Sequence, residues 1–381
     1  MLKIGVIGLG KAGIPLACVI AEQNIPIVGL DVSLTRVNDI NSKINPIPEE
    51  PGVQEIFDKC VGVNLEATTS YKKILSECNV FIVIVPLFID DNKRPVFDNI
   101  DNVMTELSKG LKKGDLVVLE TTVPIGTTRN RIKPILDKSG VDYMLAYSPE
   151  RIMTGYSISR YKEFPKVIAG VDNKSTDRSF EVYSKFCTNV DKVDSVETAE
   201  MIKVSEGVYR DVNIALANEL YQLCEKYNIN FDQMREKANH QFVNIHHAGI
   251  GVGGHCIPVY PWFLINENDV PLTKTARLLN DNMILYWKEK VLQRLAGRKK
   301  VGVVGITYRK GVKELAYTRS IPFIHELQKA GLDVYVNDPM YTREEIATLG
   351  FKNTDDYDKL DLVVIINGVV KINNYENVMC I

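Results

Sequence analysis

Two doubly wound α/β domains, joined by a long central helix and a helical middle region, are what the sequence predicts, on three observations. Short β-branched runs alternate with helical patterns from the first residues onward, the rhythm of a parallel sheet with crossover helices. A glycine pattern at a strand end near residue 8 has a partial echo near residue 305. Between them an apolar pattern of helical period runs for about thirty residues.

Lys3–Ile7 reads as a strand, Gly10–Glu22 as a helix and Pro26–Leu30 as the next strand, with later strands at Val80–Val85 and Leu116–Glu120. Residues 1–195 are assigned to this first domain. The pattern then changes: Ile202, Val208, Tyr209, Val212, Leu216, Leu220 and Leu223 recur at helical spacing from Glu197 to about Lys226. A helix of that length links domains or packs on a partner subunit. Further helices are expected over Phe231–Ala238 and Thr273–Leu295 with a glycine loop between them, which makes 196–296 a helical middle region. At Arg298–Tyr308 strand and glycine return, followed by a helix to Lys329 and strands at Val334–Asn337 and Leu362–Ile366, so 297–381 reads as a smaller second α/β domain. Little sequence follows that last strand, and the outer strands of this domain are expected to be missing or rebuilt.

A chain of 381 residues with 45% apolar and 25% charged residues and a formal net charge of −2 is ordinary for a soluble protein. It lacks the positive excess of a nucleic-acid or membrane-surface binder. An acidic small substrate would need a local basic pocket. The seven cysteines, at 18, 60, 78, 187, 224, 256 and 380, are scattered, odd in number and never in a CxxC pair. That pattern points to reduced thiols in a cytosolic compartment. The first residues run straight into a strand and no apolar run is long enough to span a bilayer, so a cytoplasmic protein is expected.

Gly8-Leu-Gly-Lys-Ala-Gly13 follows a strand and opens a helix, and Asp31 ends the next strand, 18 residues beyond Gly13. Gly8 permits the tight turn, Gly10 lets backbone approach a pyrophosphate, and Gly13 lets helix and strand pack closely, as in a Rossmann-like dinucleotide fold. Asp31 would accept hydrogen bonds from a ribose 2′-hydroxyl and repel a 2′-phosphate, which favours NAD over NADP. The competing reading is a sheet whose glycines serve packing alone. Arg36 either flanks the adenosine or is a solvated surface arginine. In the second α/β domain Gly302 and Gly305 precede Tyr308-Arg309-Lys310, where a third glycine is missing. Arg309 and Lys310 at a strand end either receive the phosphates of a different nucleotide or are two solvated charges.

The stretch Gly251-Val-Gly-Gly-His-Cys-Ile-Pro-Val-Tyr-Pro-Trp-Phe-Leu264 sets Cys256 in a loop of glycines and prolines. Filler, metal ligand and nucleophile are the three readings. A zinc site of His255 and Cys256 with His246 and His247 lacks a second pair at ligand spacing, and His255 reads better as shaping the loop. Gly8–Gly13, Glu120-Thr-Thr-Val-Pro-Ile-Gly-Thr-Thr128, Tyr147-Ser-Pro-Glu-Arg151, Ala199-Glu-Met-Ile-Lys203, Tyr209–Leu220 and Gly251–Leu264 occur in the order seen in the UDP-glucose/GDP-mannose dehydrogenase family. The chain resembles that family over nearly its whole length. Its Arg210-Asp-Val-Asn213 and Gly-Gly-His-Cys segments are most similar to the UDP-N-acetylmannosamine dehydrogenase branch.

The resemblance implies oxidation of the C6 alcohol of a UDP-sugar to a carboxylate, with NAD as the acceptor of two hydrides. It makes Cys256 the thiolate that holds the aldehyde and then the acyl group. A thiol adds to a carbonyl only as the thiolate, which calls for a cation nearby; the resemblance places Lys203 there, where it also stabilises the oxyanion. Glu150 takes the role of positioning water and relaying protons, and Thr122 lies beside the nicotinamide. Pro86 is counted with the cofactor residues, and Arg210, Gly253, Arg309 and Lys310 with Glu150 and Lys203 as substrate residues. A monomer would leave a second apolar face of the long helix exposed, so a homodimer through that helix is expected, with polysaccharide biosynthesis as the setting. UDP-N-acetyl-D-mannosamine is the first choice of substrate; UDP-glucose or another UDP-N-acetylhexosamine is the alternative. Without the family, Cys256 is a small buried hydrophobe, Lys203 a solvated helix lysine, Glu150 a helix cap and Thr122 an ordinary strand-end residue.

Three positions depart from the family pattern. An aspartate expected four residues after Cys256 is Tyr260, and an asparagine expected four after Lys203 is Gly207. Lys203 and Gly207, four apart, share a helix face, as does Arg210. A glycine inside a helix costs about 1 kcal/mol relative to alanine, so the Tyr260 ring, or a water it holds, is expected to fill the space above Gly207, its hydroxyl replacing part of the lost network. In Glu314-Leu-Ala316 an arginine of the family is absent, and Arg319 stands three residues later. These losses keep a second class of function open, a catalytically weak module that binds NAD or a nucleotide sugar.

Overall fold

The computed structural model describes residues 2–153, 155–354, 356–368 and 377–381. It divides into two compact units, Met1–Ser205 and Glu206–Ile381. In the first, eight strands form one sheet in the order Val190–Lys192, Lys166–Gly170, Met144–Tyr147, Leu116–Leu119, Val80–Val83, Ile4–Ile7, Ile27–Leu30, Leu65–Thr68. Every neighbouring pair is parallel except Met144–Tyr147 against Lys166–Gly170. The central strands are buried at every residue, as continuous apolar runs must be when helices cover both faces. One face packs Ile4, Val6, Ile14 and Phe57 together; the other packs Ile7, Val28, Phe81, Val83 and Met104.

The strand order reverses between Ile4–Ile7 and Val80–Val83. A sheet of this kind opens a crevice at such a reversal, beyond the carboxyl ends of its strands. Gly8 and Pro86 follow those two strands.

In the second unit the strands run Asp333–Asn337, Lys300–Val304, Leu362–Ile365, Val378–Cys380, all parallel. Val378–Cys380 is the outer strand that the pattern did not disclose. The helix Pro271–Leu295 gives Met283, Trp287, Val291 and Leu295 to the core beneath this sheet, where they meet Val301, Val303, Phe323 and Leu327. A helix read from its pattern as part of the middle region thus shares its core with the C-terminal strands.

The long helix is Val196–Lys226, 31 residues, or about 46 Å at 1.5 Å per residue. Elements foreseen from pattern recur within a few residues: Gly13–Glu22, Ile27–Leu30, Phe231–Ala238, Pro271–Leu295 and Leu362–Ile365. Among the described residues no helix is long and apolar enough to cross a membrane.

Candidate active site

The dinucleotide cradle is built by backbone shape. Gly8 has φ +97°, a conformation that side chains disfavour, and a Cβ there would lie 2.7 Å from the Ile84 carbonyl oxygen. A Cβ on Gly13 would fall 1.8 Å from the Gly8 carbonyl oxygen, so that position accepts only glycine. A Cβ on Gly10 would meet nothing within 4 Å. That is the open approach a pyrophosphate needs at the start of Gly13–Glu22. The residues present therefore fit NAD.

Asp31 is buried at the end of its strand, where Oδ2 accepts the Leu9 amide at 2.9 Å and Oδ1 accepts the Ser33 amide at 2.8 Å. It thereby braces the glycine turn. Arg36 lies 3.4 Å from that carboxylate and is partly exposed.

Thr122 and Glu150 leave adjacent parallel strands, Leu116–Leu119 and Met144–Tyr147. The Thr121 hydroxyl donates to the Val85 carbonyl at 2.6 Å, which ties this loop to the segment entering Pro86, and the Pro86 carbonyl accepts from Asn99 at 3.2 Å. The Glu150 amide donates to the Glu120 carbonyl at 3.3 Å, and its carboxylate accepts the Ile152 amide. The next helix begins at Ser157, so Glu150 caps no helix. Beneath both loops Lys166 and Glu120 form a buried ion pair at 2.8 Å, with the Tyr183 hydroxyl donating to Glu120 at 2.5 Å. Lys203 is buried on the long helix in this same unit, one turn after Glu200.

Cys256, Gly253, Arg210, Arg309 and Lys310 belong to the second unit. Gly253 and Gly254 sit against Tyr308, so near that a Cβ would lie 2.8 Å from the Tyr308 Cβ at the first and 3.0 Å from its ring at the second. The Gly254 amide donates to the Ala316 carbonyl at 2.9 Å, and His255 Nε2 lies 3.3 Å from Glu314 Oε2. The loop is thereby clasped to the segment after Lys300–Val304, which also carries half-buried Arg309 and exposed Lys310. Cys256 and Cys380 are exposed and the other five cysteines are buried; burial pushes the Cys78 and Cys187 thiols up to about 12. Those two are inert, which leaves Cys256 as the accessible thiol in a shaped loop. No group of three His, Cys, Asp or Glu able to hold a metal occurs among the described residues.

The Tyr260 ring lies over Gly207, its Cδ2 only 2.5 Å from where a Cβ would stand. Arg210, one turn further on, is exposed. Arg319 does not take the place of the arginine missing at Ala316: it turns inward, with Nη1 at 3.2 Å from Asp281 Oδ1 and Nη2 donating to the Asp281 carbonyl at 2.6 Å. Sequence reasoning missed two residues here. Asp338 accepts the Ile306 and Met340 amides at 2.7 and 2.8 Å, repeating for the second sheet what Asp31 does for the first. A strand-end aspartate one strand after Gly305 was its signal. Arg277, fully buried, pairs with Asp211 at 2.5 Å, and nothing local announced it.

Family models of the UDP-glucose/GDP-mannose dehydrogenase NAD-binding domain and central domain match residues 2–187 and 197–282. The chain belongs to the UDP-glucose/GDP-mannose dehydrogenase family. It is 34% identical over 344 residues to a UDP-N-acetyl-D-mannosamine dehydrogenase of Campylobacter jejuni, covering 85% of this chain and 83% of that one. Identity to the enzyme of the same name from Methanocaldococcus jannaschii is 33% over 382 residues, covering 98% and 87%. Among solved structures, the UDP-N-acetyl-mannosamine dehydrogenase of Staphylococcus aureus superposes with TM-score 0.84 at 27% identity, over 99% of this chain and 97% of that one. As a member of this UDP-glucose/GDP-mannose dehydrogenase family the chain is an NAD-dependent oxidoreductase of nucleotide sugars, and the glycine cradle lies in the segment matched by the NAD-binding domain.

Proposed function

We propose that the protein oxidises the C6 hydroxyl of UDP-N-acetyl-D-mannosamine to the carboxylate. The observation that carries this is the clasped Gly251–Tyr260 loop presenting an exposed Cys256 in a chain whose relatives are named for that substrate. NAD, when bound, accepts the hydrides that a four-electron oxidation releases. Cys256 holds the aldehyde as a thiohemiacetal and the acid as a thioester, so that water, not solvent-wide diffusion of an aldehyde, ends the sequence. The Lys203 ammonium stabilises the oxyanion formed when sulfur adds. Thr122 and Glu150, on loops that leave adjacent strands, orient the hydrolytic water, and Glu150 takes its proton. Pro86 and Arg36 flank the cofactor.

Arg309 and Lys310 bind the UDP diphosphate, with Gly253 offering backbone to the sugar and Arg210 a further positive charge. Lys310 is exposed at the reversal of the second sheet's strand order, where an open sheet receives ligands. Functionally the chain falls into the NAD segment 1–195, the catalytic and dimerisation segment 196–296 and the nucleotide-sugar segment 297–381. Tyr209, Leu216 and Leu223, seven apart on the long helix, are 59%, 47% and 44% exposed, a stripe that a second copy would cover in a homodimer. The cytoplasm, where nucleotide sugars for polysaccharides are made, suits its thiols.

The test is NADH formation with a panel of UDP-sugars. Two NADH per UDP-N-acetyl-D-mannosamine, and fewer or slower with UDP-glucose and other UDP-N-acetylhexosamines, is the expected result. One NADH per sugar overturns the four-electron reading; none with any sugar favours the binding module that Tyr260 and Gly207 raise. Cys256→Ser should abolish acid formation while leaving NAD affinity near normal.

A further inference from the structure

Glu200, on the long helix, is fully buried. Its carboxylate accepts three hydrogen bonds from one loop: the Gly126 amide at 2.5 Å, the Thr128 amide at 2.8 Å and the Thr128 hydroxyl at 2.7 Å. That loop continues directly from Thr122. Its other end is fixed by the Thr121 hydroxyl on the Val85 carbonyl, and within it the Thr127 hydroxyl donates to the Pro124 carbonyl at 2.6 Å. Glu200 itself stands one turn before Lys203 on the long helix. One turn earlier, Glu197 takes Arg129 Nε at 2.6 Å, a partly exposed second link between the same two elements.

A buried carboxylate accepting only N–H and O–H donors is specific for the ionised oxygen pair, because each oxygen must accept and neither can donate. We propose that Glu200 is the positioning residue that holds the Thr122 loop and the Lys203 turn as one rigid piece. The proposal rests on the catalytic roles given above to Thr122 and Lys203. The groups around the carboxylate agree with it: Thr128 and two amides donate, Arg129 and Glu197 lie on the solvent side, and fully buried Tyr147 adds no cation. Burial pushes Glu200 up to about 7 while those donors pull it down, and the latch is fully made only by the ionised form.

The experiment compares hydrogen exchange of residues 121–130 with steady-state kinetics in Glu200→Gln and Thr128→Val. In Glu200→Gln the NH2 replaces one accepting oxygen and so faces one of the two N–H donors, and exchange of this segment should rise at least about tenfold while the Val80–Val83 strand stays protected. A displacement of catalytic groups by about 1 Å costs on the order of a hundredfold, so kcat should fall about ten- to a hundredfold with the KM for NAD changed less than about threefold. Thr128→Val, which deletes one donor and keeps the shape, should give a smaller loss in the same direction. Unchanged exchange in both variants, or faster exchange with unchanged kcat, overturns the proposal. The exchange readout needs no substrate, so it stands apart from failure of the UDP-sugar assay.

Discussion

At the scale of single residues, Gly207 shows how a position is set by its neighbour. Alanine there gains about 1 kcal/mol of helix propensity, but its Cβ would stand 2.5 Å from Tyr260 Cδ2 and 3.2 Å from the Tyr260 Cβ. Overpacking of this kind costs about 1–3 kcal/mol, and the ring is held by Phe263 at 5.8 Å between centroids. Gly207→Ala should therefore lower the urea midpoint, and Gly207→Ala with Tyr260→Ala should recover more than additivity allows. An additive double-variant cycle would show that the ring does not dictate the glycine. Asp31 offers a second test. Asp31→Asn removes the charge that repels a 2′-phosphate, so the ratio of kcat/KM for NAD over NADP should fall about tenfold or more; kinetics with both cofactors decides it.

Elements are joined by buried charge more than their patterns suggest. Arg277 on Pro271–Leu295 and Asp211 on the long helix are both fully buried, 2.5 Å apart, and Asn280 adds a bond from its amide to Asp211 at 2.9 Å. Burial pushes Asp211 up to about 6 and the Arg277 guanidinium pulls it back. Removing the arginine alone leaves an uncompensated carboxylate, at a cost of about 3–5 kcal/mol. Arg277→Met should lose that much in urea unfolding, and Arg277→Met with Asp211→Leu should regain most of it. The pH dependence has a definite sign. Glu200 and Asp211 rise from 4.5 and 3.8 to about 7 and about 6, so the folded chain holds extra protons in that window and loses stability as pH rises through it. Glu200→Gln should flatten that slope between pH 5 and 8. The ionised latch thus serves position at the expense of stability.

For the whole molecule, the exposed stripe Tyr209, Leu216 and Leu223 has a counterpart in Leu278 and Leu285, also seven apart, on Pro271–Leu295. Leu216→Glu with Leu223→Glu should shift the sedimentation mass from dimer to monomer with the helical circular dichroism kept. A monomeric wild type would remove the dimer from the proposed function. Assembly is a property that neither unit's core requires, because each packs its own sheet with apolar residues from its own helices.

Sequence alone determined what local rules dictate. The glycines at 8, 10 and 13, the strand-end Asp31, the period of Val196–Lys226 and the loop around Cys256 are each legible within a short window, because turn geometry and helical spacing are short-range constraints. Short or half-exposed strands such as Leu65–Thr68 and Val378–Cys380 were not, since nothing in four residues tells a sheet edge from a loop. Tertiary structure alone decided that Glu200 holds Gly126 and Thr128, 74 and 72 residues away, that Arg277 meets Asp211 across 66, and that Arg319 turns to Asp281. Such pairs form only when folding brings distant elements together and excludes water from between their charges, and a buried carboxylate then finds its partners wherever the chain has put them.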